Sequence, residues 1–246
     1  MDFTPFLGEI VGTALLILFG CGVNANVTLK GTYGQNSVWI VITFGWAMAV
    51  FIGVFVSAGA SGAHLNPAVT FALATAGKFS WADVPAYLLA QMIGAIIGAS
   101  LCWLQYRPHY AAEEEQGKIL GTFSTGPAIE STPANFLSEL LGTFAFALAV
   151  LFLAGPVFGG PGEQLGSLDA LPVALVVLAI GLCLGGTTGY AINPARDLGP
   201  RIAHAFLPIP GKGGSNWGYA WIPVLGPILG GVLAALVYGL LKSQGM

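Results

Sequence analysis

The chain has 246 residues, of which 55% are hydrophobic and 8% charged, with a formal net charge of −3 and a mean hydropathy of +0.79. A water-soluble domain carries roughly 25% charged residues, so this chain cannot cover a water-facing surface, and its slight acidity points away from nucleic acid. Composition therefore makes it a polytopic membrane protein folded as one compact unit. A span needs about 20 apolar residues, and six candidates follow in chain order at 6–27, 38–56, 84–105, 136–153, 171–186 and 219–241. The first is long enough to cross and lacks a basic start, so no cleavable signal is expected. Cys21, Cys102 and Cys183 lie inside apolar runs and read as small buried hydrophobes, with neither a disulfide framework nor metal-ligand spacing. The longest polar stretch, 107–133, separates the third and fourth candidates, and its Glu113-Glu114-Glu115 run reads as a solvated face.

The two halves repeat. Glu9-Ile-Val-Gly12-Thr13 in the first span matches Glu139-Leu-Leu-Gly142-Thr143 in the fourth, an offset of 139 − 9 = 130. Asn66-Pro67-Ala68 recurs as Asn193-Pro194-Ala195, offset by 193 − 66 = 127. The third span holds Gly94 and Gly98 and the sixth Gly226 and Gly230, the small-xxx-small spacing that lets helices approach closely. Three spans per copy invert the second copy, and inverted repeats place their shared site near the bilayer centre.

Each Asn-Pro-Ala opens a short run with the chemistry of a helix start. Proline suits the first helical position, where its missing N–H costs nothing, and asparagine is among the best N-caps. From Pro67 the run ends at Gly77-Lys78, and from Pro194 it ends near Phe206, before Pro208. About ten residues at ~1.5 Å each cross half a bilayer, so each run is expected to be a half-helix, the two meeting N-terminus to N-terminus. Each N-terminus carries roughly +0.5 charge, and Arg196 adds to it. A cation ~5 Å from one unit charge at an effective dielectric of ~20 is repelled by ~3 kcal/mol; its desolvation costs several kcal/mol more. The site thus suits neutral, hydrogen-bonding solutes, with asparagine amides as donors. The stretches 61–64 and 186–191 before each turn are too irregular for helix and are expected to offer carbonyl acceptors, since such backbone at membrane depth is tolerated where it is buried or lines water.

Read from the residues alone, Arg196 is a pore-lining cation rather than an interfacial one. His64 is a structural histidine bonding backbone. Glu9 and Glu139, repeated and intramembrane, form a buried scaffold, and Trp46 and Tyr190 are lone lipid-facing or core aromatics. With the termini on one side, Lys30, Arg107, Lys118 and Lys212 fall opposite them and Lys78 and Lys242 beside them, so a literal charge count puts the termini outside.

The segments SGAHLNPAVT and GYAINPARDLGP closely resemble the major intrinsic proteins, the aquaporin superfamily, and the resemblance covers nearly all of residues 6–241. Asp197 after Asn-Pro-Ala-Arg and the long third connector resemble the glycerol-facilitator branch. The resemblance implies an all-α membrane protein, an hourglass of six transmembrane helices and two re-entrant half-helices, with a first repeat at 6–110, a connector at 111–132 and a second repeat at 133–242. It implies a homotetramer in the plasma membrane with one pore per subunit, and it puts both termini in the cytoplasm, against the charge count. No enzyme activity, metal or cofactor is implied. The activity implied is passive, ion-excluding passage of glycerol, other small neutral solutes and some water.

Carried over by position, the central constriction would be Asn66, Pro67, Ala68, Asn193, Pro194 and Ala195. The selectivity filter would be Trp46, Gly181, Tyr190 and Arg196, with Gly181 leaving room for a carbon backbone. The carbonyls facing solute would be those of Gly62, Ala63, His64, Gly189, Tyr190 and Ala191, with Glu9, Glu139 and Asp197 as structural support. The familiar glycerol channel has Phe where this chain has Tyr190, so a phenol adds a polar tip to an apolar corner. Alternative readings are a mainly water-conducting pore, against which Gly181 argues, and a gradient-coupled transporter using Glu9 or Glu139. A hydrolase built on Ser61 and His64 has no defensible geometry.

Overall fold

A computed structural model describes residues 3–153 and 166–245, and among these it contains helices and no strand. The helices are α1 (Thr4–Thr28), α2 (Trp39–Ser61), α3 (Pro67–Thr75), α4 (Val84–Gln105), α5 (Arg107–Ala112), α6 (Gln116–Phe123), α7 (Thr132–Phe152), α8 (Leu171–Cys183), α9 (Pro194–Phe206) and α10 (Ile222–Ser243). α1, α2, α4, α7, α10 and the stretch Gly166–Cys183 that ends in α8 are long and apolar enough to cross a membrane. α3 has nine residues, a rise of only about 14 Å. It enters and turns back, as does α9. With an odd number of crossings in each half, α3 returns toward the face of the chain ends and α9 toward the opposite, distal face.

Glycines set the packing distances inside each half. A Cβ on Gly94 would lie 2.4 Å from the Ile10 carbonyl oxygen, and one on Gly98 would lie 2.3 Å from that of Ala14, so α4 rides directly on the backbone of α1. A Cβ on Gly230 would meet Leu140 O at 2.4 Å, Phe144 N and Thr143 Cβ, the counterparts of the Ile10, Ala14 and Thr13 atoms around Gly94. The contacts therefore equate Gly94 with Gly230, and the two Gly-xxx-Gly pairs do not superpose one on the other. The sixth span is shifted by one turn, with Gly226 resting against Glu139 Cβ instead.

The half-helices are exchanged between the halves. α3 packs on α10 of the second half and α9 on α4 of the first. Small residues permit both contacts: Gly231 lies under the Ala68 carbonyl and Gly199 against Ala95. Each half-helix thus packs more extensively on the other half than on its own.

Three sequence expectations change. Cys21 and Cys102 are buried, but Cys183 is exposed, because it ends α8 on the outer side of the bundle. Glu113 is not part of a solvated face: it is only 7% exposed and accepts from the backbone N–H groups of Lys30, Glu114 and Glu115. Desolvation opposes its charge, but those N–H groups outweigh it and hold the carboxyl below its ordinary value. It thereby ties the α1–α2 loop to the connector. Helix α8 stops at Cys183 instead of running to 186, and beyond its end Gly185 leaves room for the Tyr190 ring, 2.4 Å from where its Cβ would stand.

Replacing Gly98 by Leu forces α4 off α1 and is expected to cost about 1–3 kcal/mol or more through overpacking. Gly22→Ala on α1, where the added Cβ meets open space, is the control. Melting curves of the detergent-solubilised protein check the pair, and equal melting temperatures would refute the packing argument.

Candidate functional site

The two half-helices meet through a pair of reciprocal bonds. The Asn66 side-chain oxygen accepts from Ala68 N at 2.8 Å, and that of Asn193 accepts from Ala195 N at 3.0 Å and Arg196 N at 3.2 Å. Each asparagine is the N-cap its sequence position predicts. Each then donates across the junction: Asn66 Nδ2 to Ile192 O and Asn193 Nδ2 to Leu65 O, both at 2.8 Å. An amide carries two N–H bonds, so one per asparagine locks the halves together and one is left for the cavity that both residues line.

The loops leading into the junction share an unusual backbone. Ala63, Leu65, Tyr190 and Ile192 all have positive φ, between 40° and 52°, following Gly62 and Gly189 at 77° and 82°. Non-glycine residues adopt this region at a cost of roughly 1 kcal/mol or more each and need support from their surroundings. The support is a buried carboxylate behind each loop. Glu9 accepts from His64 N, Leu65 N, the Ser61 hydroxyl and Gln91 Nε2, at 2.7–2.9 Å. Glu139 accepts from Ala191 N, Ile192 N and the Thr188 hydroxyl, also at 2.7–2.9 Å. With their N–H groups turned back to the carboxylates, the loops keep their carbonyls for the other side. Among the described residues, no hydrogen bond ends on the carbonyl of Gly62, Ala63, His64, Gly189, Tyr190 or Ala191. In a membrane such groups must be met by water or solute.

Two cavities flank a constriction. One, of about 210 Å³, opens on the side of the chain ends and is lined by Val50, Val54, Phe146, Val150 and Val173, with the loop residues along one edge. The other, of about 170 Å³, lies on the distal side and is lined by Asn24, Thr28, Ser124 and Thr125 opposite Trp39 and Ile42. Trp46, Tyr190 and Arg196 border both. The Arg196 guanidinium carbon stands 3.7 Å from the centre of the Trp46 ring, and its one side-chain hydrogen bond among the described residues is a long one, Nη1 to Phe123 O at 3.5 Å. The remaining N–H groups are free to meet a solute against an aromatic wall.

Gly181 lies beside this ring of residues rather than on its surface. A Cβ there would fall 2.9 Å from Tyr190 Cζ and 2.9 Å from Thr43 Cγ2, so the space it vacates is filled by the Tyr190 ring. The Trp39 indole donates to Gly181 O at 3.0 Å and meets the Tyr190 ring edge-on. The Tyr190 hydroxyl is buried in that slot without a partner among the described residues, and the polar tip expected in the channel wall is turned away from it.

Asp197 accepts from Thr125 N and its hydroxyl and is paired with Arg201 at 2.7 Å. Arg201 was not singled out from the sequence, although the Asp197–Arg201 spacing of i,i+4 on a half-helix signals such a pair. It is fully buried and donates to Thr125 O, Ser215 O and Asn216 O, joining α9 to two distal loops. Asn24 was also missed: its side-chain oxygen accepts the Trp46 indole N–H at 3.0 Å and its amide donates to Gly121 O. His64 bonds the Thr70 hydroxyl rather than backbone, at 3.1 Å, and the Ser61 hydroxyl goes to Glu9, so the two form no nucleophile–base pair.

The sequence profile of the Major intrinsic protein family matches residues 3–238. The glycerol uptake facilitator protein of Bacillus subtilis is 55% identical over 235 residues, 96% of this chain and 84% of that protein. The glycerol uptake facilitator protein of Streptococcus pneumoniae R6 is 54% identical over 95% of this chain and 97% of its own length. The solved structure of the aquaglyceroporin from Plasmodium falciparum superposes with a TM-score of 0.82 at 32% identity, covering 97% of this chain and 96% of that one.

Glu139→Leu leaves two buried N–H groups and a hydroxyl without an acceptor, each worth about 1–3 kcal/mol. A fall in melting temperature with faster hydrogen exchange at Ala191 and Ile192 is expected. Unchanged exchange at those two amides would mean that Glu139 does not hold the loop.

Proposed function

This chain belongs to the major intrinsic protein family, and we propose that it is a passive channel for glycerol and other small uncharged solutes, with some water permeability and exclusion of ions and protons. The observation that carries this reading is the constriction shared by the two cavities, with a guanidinium at 3.7 Å over an indole. A polyol presents hydroxyls on one side and C–H groups on the other. Arg196 and the loop carbonyls would serve the first, and Trp46 and the edge of Tyr190 the second. At the junction, the spare N–H of Asn66 and of Asn193 would donate to solute oxygen. The half-helix N-termini and Arg196 make the centre positive, and a cation must also shed its water there.

The finer parts of the reading rest on the family and on charge. We read the chain as one channel domain with repeats 6–110 and 133–242 around the connector 111–132, assembled as a homotetramer in the plasma membrane with cytoplasmic termini. The distal basic residues that argued otherwise have partners within the fold: Lys30 and Lys118 pair with Glu114 and Glu115, Lys212 caps carbonyls at the end of α9, and Arg107 stacks on Trp103. The carboxylates that a coupled transporter would need are taken up by the loops they support, which favours a channel.

Stopped-flow light scattering on proteoliposomes tests the proposal: glycerol flux that does not saturate and ignores proton and sodium gradients is expected, and water flux without glycerol flux would sink it. In Arg196→Ala, proton or small-cation leak should rise while glycerol still passes; unchanged ion exclusion would remove the electrostatic role of Arg196. In Gly181→His, the new side chain drives the Tyr190 ring toward Arg196, and glycerol flux should fall by about tenfold or more, a barrier increase of roughly 1.4 kcal/mol, with a smaller loss of water flux. Equal losses of both would count against the size argument.

A further inference from the structure

We propose that the cleft where α3, α7 and α10 end, on the face of the chain ends, binds the headgroup of an anionic phospholipid. The Lys78 ammonium lies 4.8 Å and the Lys242 ammonium 5.9 Å from the centre of the same Tyr238 ring, and Lys242 is also 5.5 Å from the Phe152 ring. Both lysines are exposed, and neither ammonium group makes an ion pair or hydrogen bond with any described residue. Lys30 and Lys118 are ion-paired and Lys212 donates to three carbonyls, so Lys78 and Lys242 are the two lysines whose ammonium groups have neither an ion pair nor a hydrogen bond among the described residues. They converge on one phenol although they come from different repeats.

Their positions are built rather than incidental. Gly77, at φ 71°, closes α3 in a Schellman turn, with Gly77 N bonded to Ala74 O and Lys78 N to Leu73 O. That turn delivers Lys78 to the end of α10, where Lys242 follows Tyr238 by one turn. Phe152 meets Tyr238 edge-on at 4.9 Å and is itself exposed together with Leu153. Two ammonium groups over an aromatic platform, beside exposed apolar surface at the level where the helices leave the hydrocarbon, match a phosphate diester whose chains continue along the protein. Paired lysines at this depth draw anionic lipid from the leaflet, and a phosphate bridging them relieves their mutual repulsion. This inference stands apart from glycerol passage.

Native mass spectrometry of the full chain, released from nanodiscs containing phosphatidylglycerol and phosphatidylcholine, tests it. Each lysine should contribute about fivefold, so phosphatidylglycerol is retained about twenty-five-fold over phosphatidylcholine, and Lys78→Gln with Lys242→Gln abolishes that preference. The Lys30→Gln, Lys118→Gln pair keeps it. A Lys242→Glu variant should lose it alone, and melting curves in lipid-free detergent confirm that each variant is folded. Equal retention of the two lipids by the unaltered chain, or an unchanged preference in the Lys78, Lys242 double variant, overturns the proposal. So does displacement of the lipid by millimolar inorganic phosphate, which would make the cleft a free-anion site.

Discussion

Two helix starts, each with N–H groups that have no partner in their own helix, are brought together in the middle of a hydrocarbon slab, where an unmet polar group costs several kcal/mol. Asn66 and Asn193 resolve this with one functional group each. The amide oxygen caps its own helix, and one amide hydrogen fastens the opposite loop. What remains is an inward-facing N–H on each side of a rigid junction. The buried glutamates, the positive-φ loops and the exchanged half-helices all hold that junction in register.

The scaffold is symmetric and the constriction is not. Positions 127 apart pair Asn66 with Asn193 and Leu65 with Ile192, and the bonds they make are matched. The same offset pairs Val69 with Arg196, Thr70 with Asp197 and Ala74 with Arg201. The second half-helix thus carries a buried charge network where the first carries small and apolar residues. That network fastens Thr125 and the distal loops to α9, while Asn24 fastens Gly121 and holds the Trp46 indole. The connector between the repeats is in this way part of the wall that positions Arg196 against Trp46. The phenol of Tyr190 belongs to the same asymmetry: its ring fills the slot that Gly181 and Gly185 leave open, so those two glycines act on the constriction by seating an aromatic ring.

Much of this was legible in the chain because it rests on local rules. Length and hydropathy mark the spans, since the bilayer sets how many apolar residues a crossing needs. Asn-Pro-Ala marks a helix start, since only certain side chains satisfy the first N–H groups. Recurrence of Glu-x-x-Gly-Thr and Asn-Pro-Ala marks the repeat. Contacts between distant segments were not legible. Nothing near Asn24 in sequence indicates that it meets Trp46, and nothing near Gly181 indicates that Tyr190 will occupy its space. Glu113 looks like any loop carboxylate until Lys30 N is placed beside it, and the one-turn shift between Gly94 and Gly230 emerges only from the atoms that each touches. Membership of a helix, its start and its place in a repeat are fixed by neighbours a few residues away or by the solvent, so the sequence by itself determined them. Which side chain faces the cavity and which is spent on holding another depends on groups about 20 to 130 residues apart, so only the tertiary structure decided it.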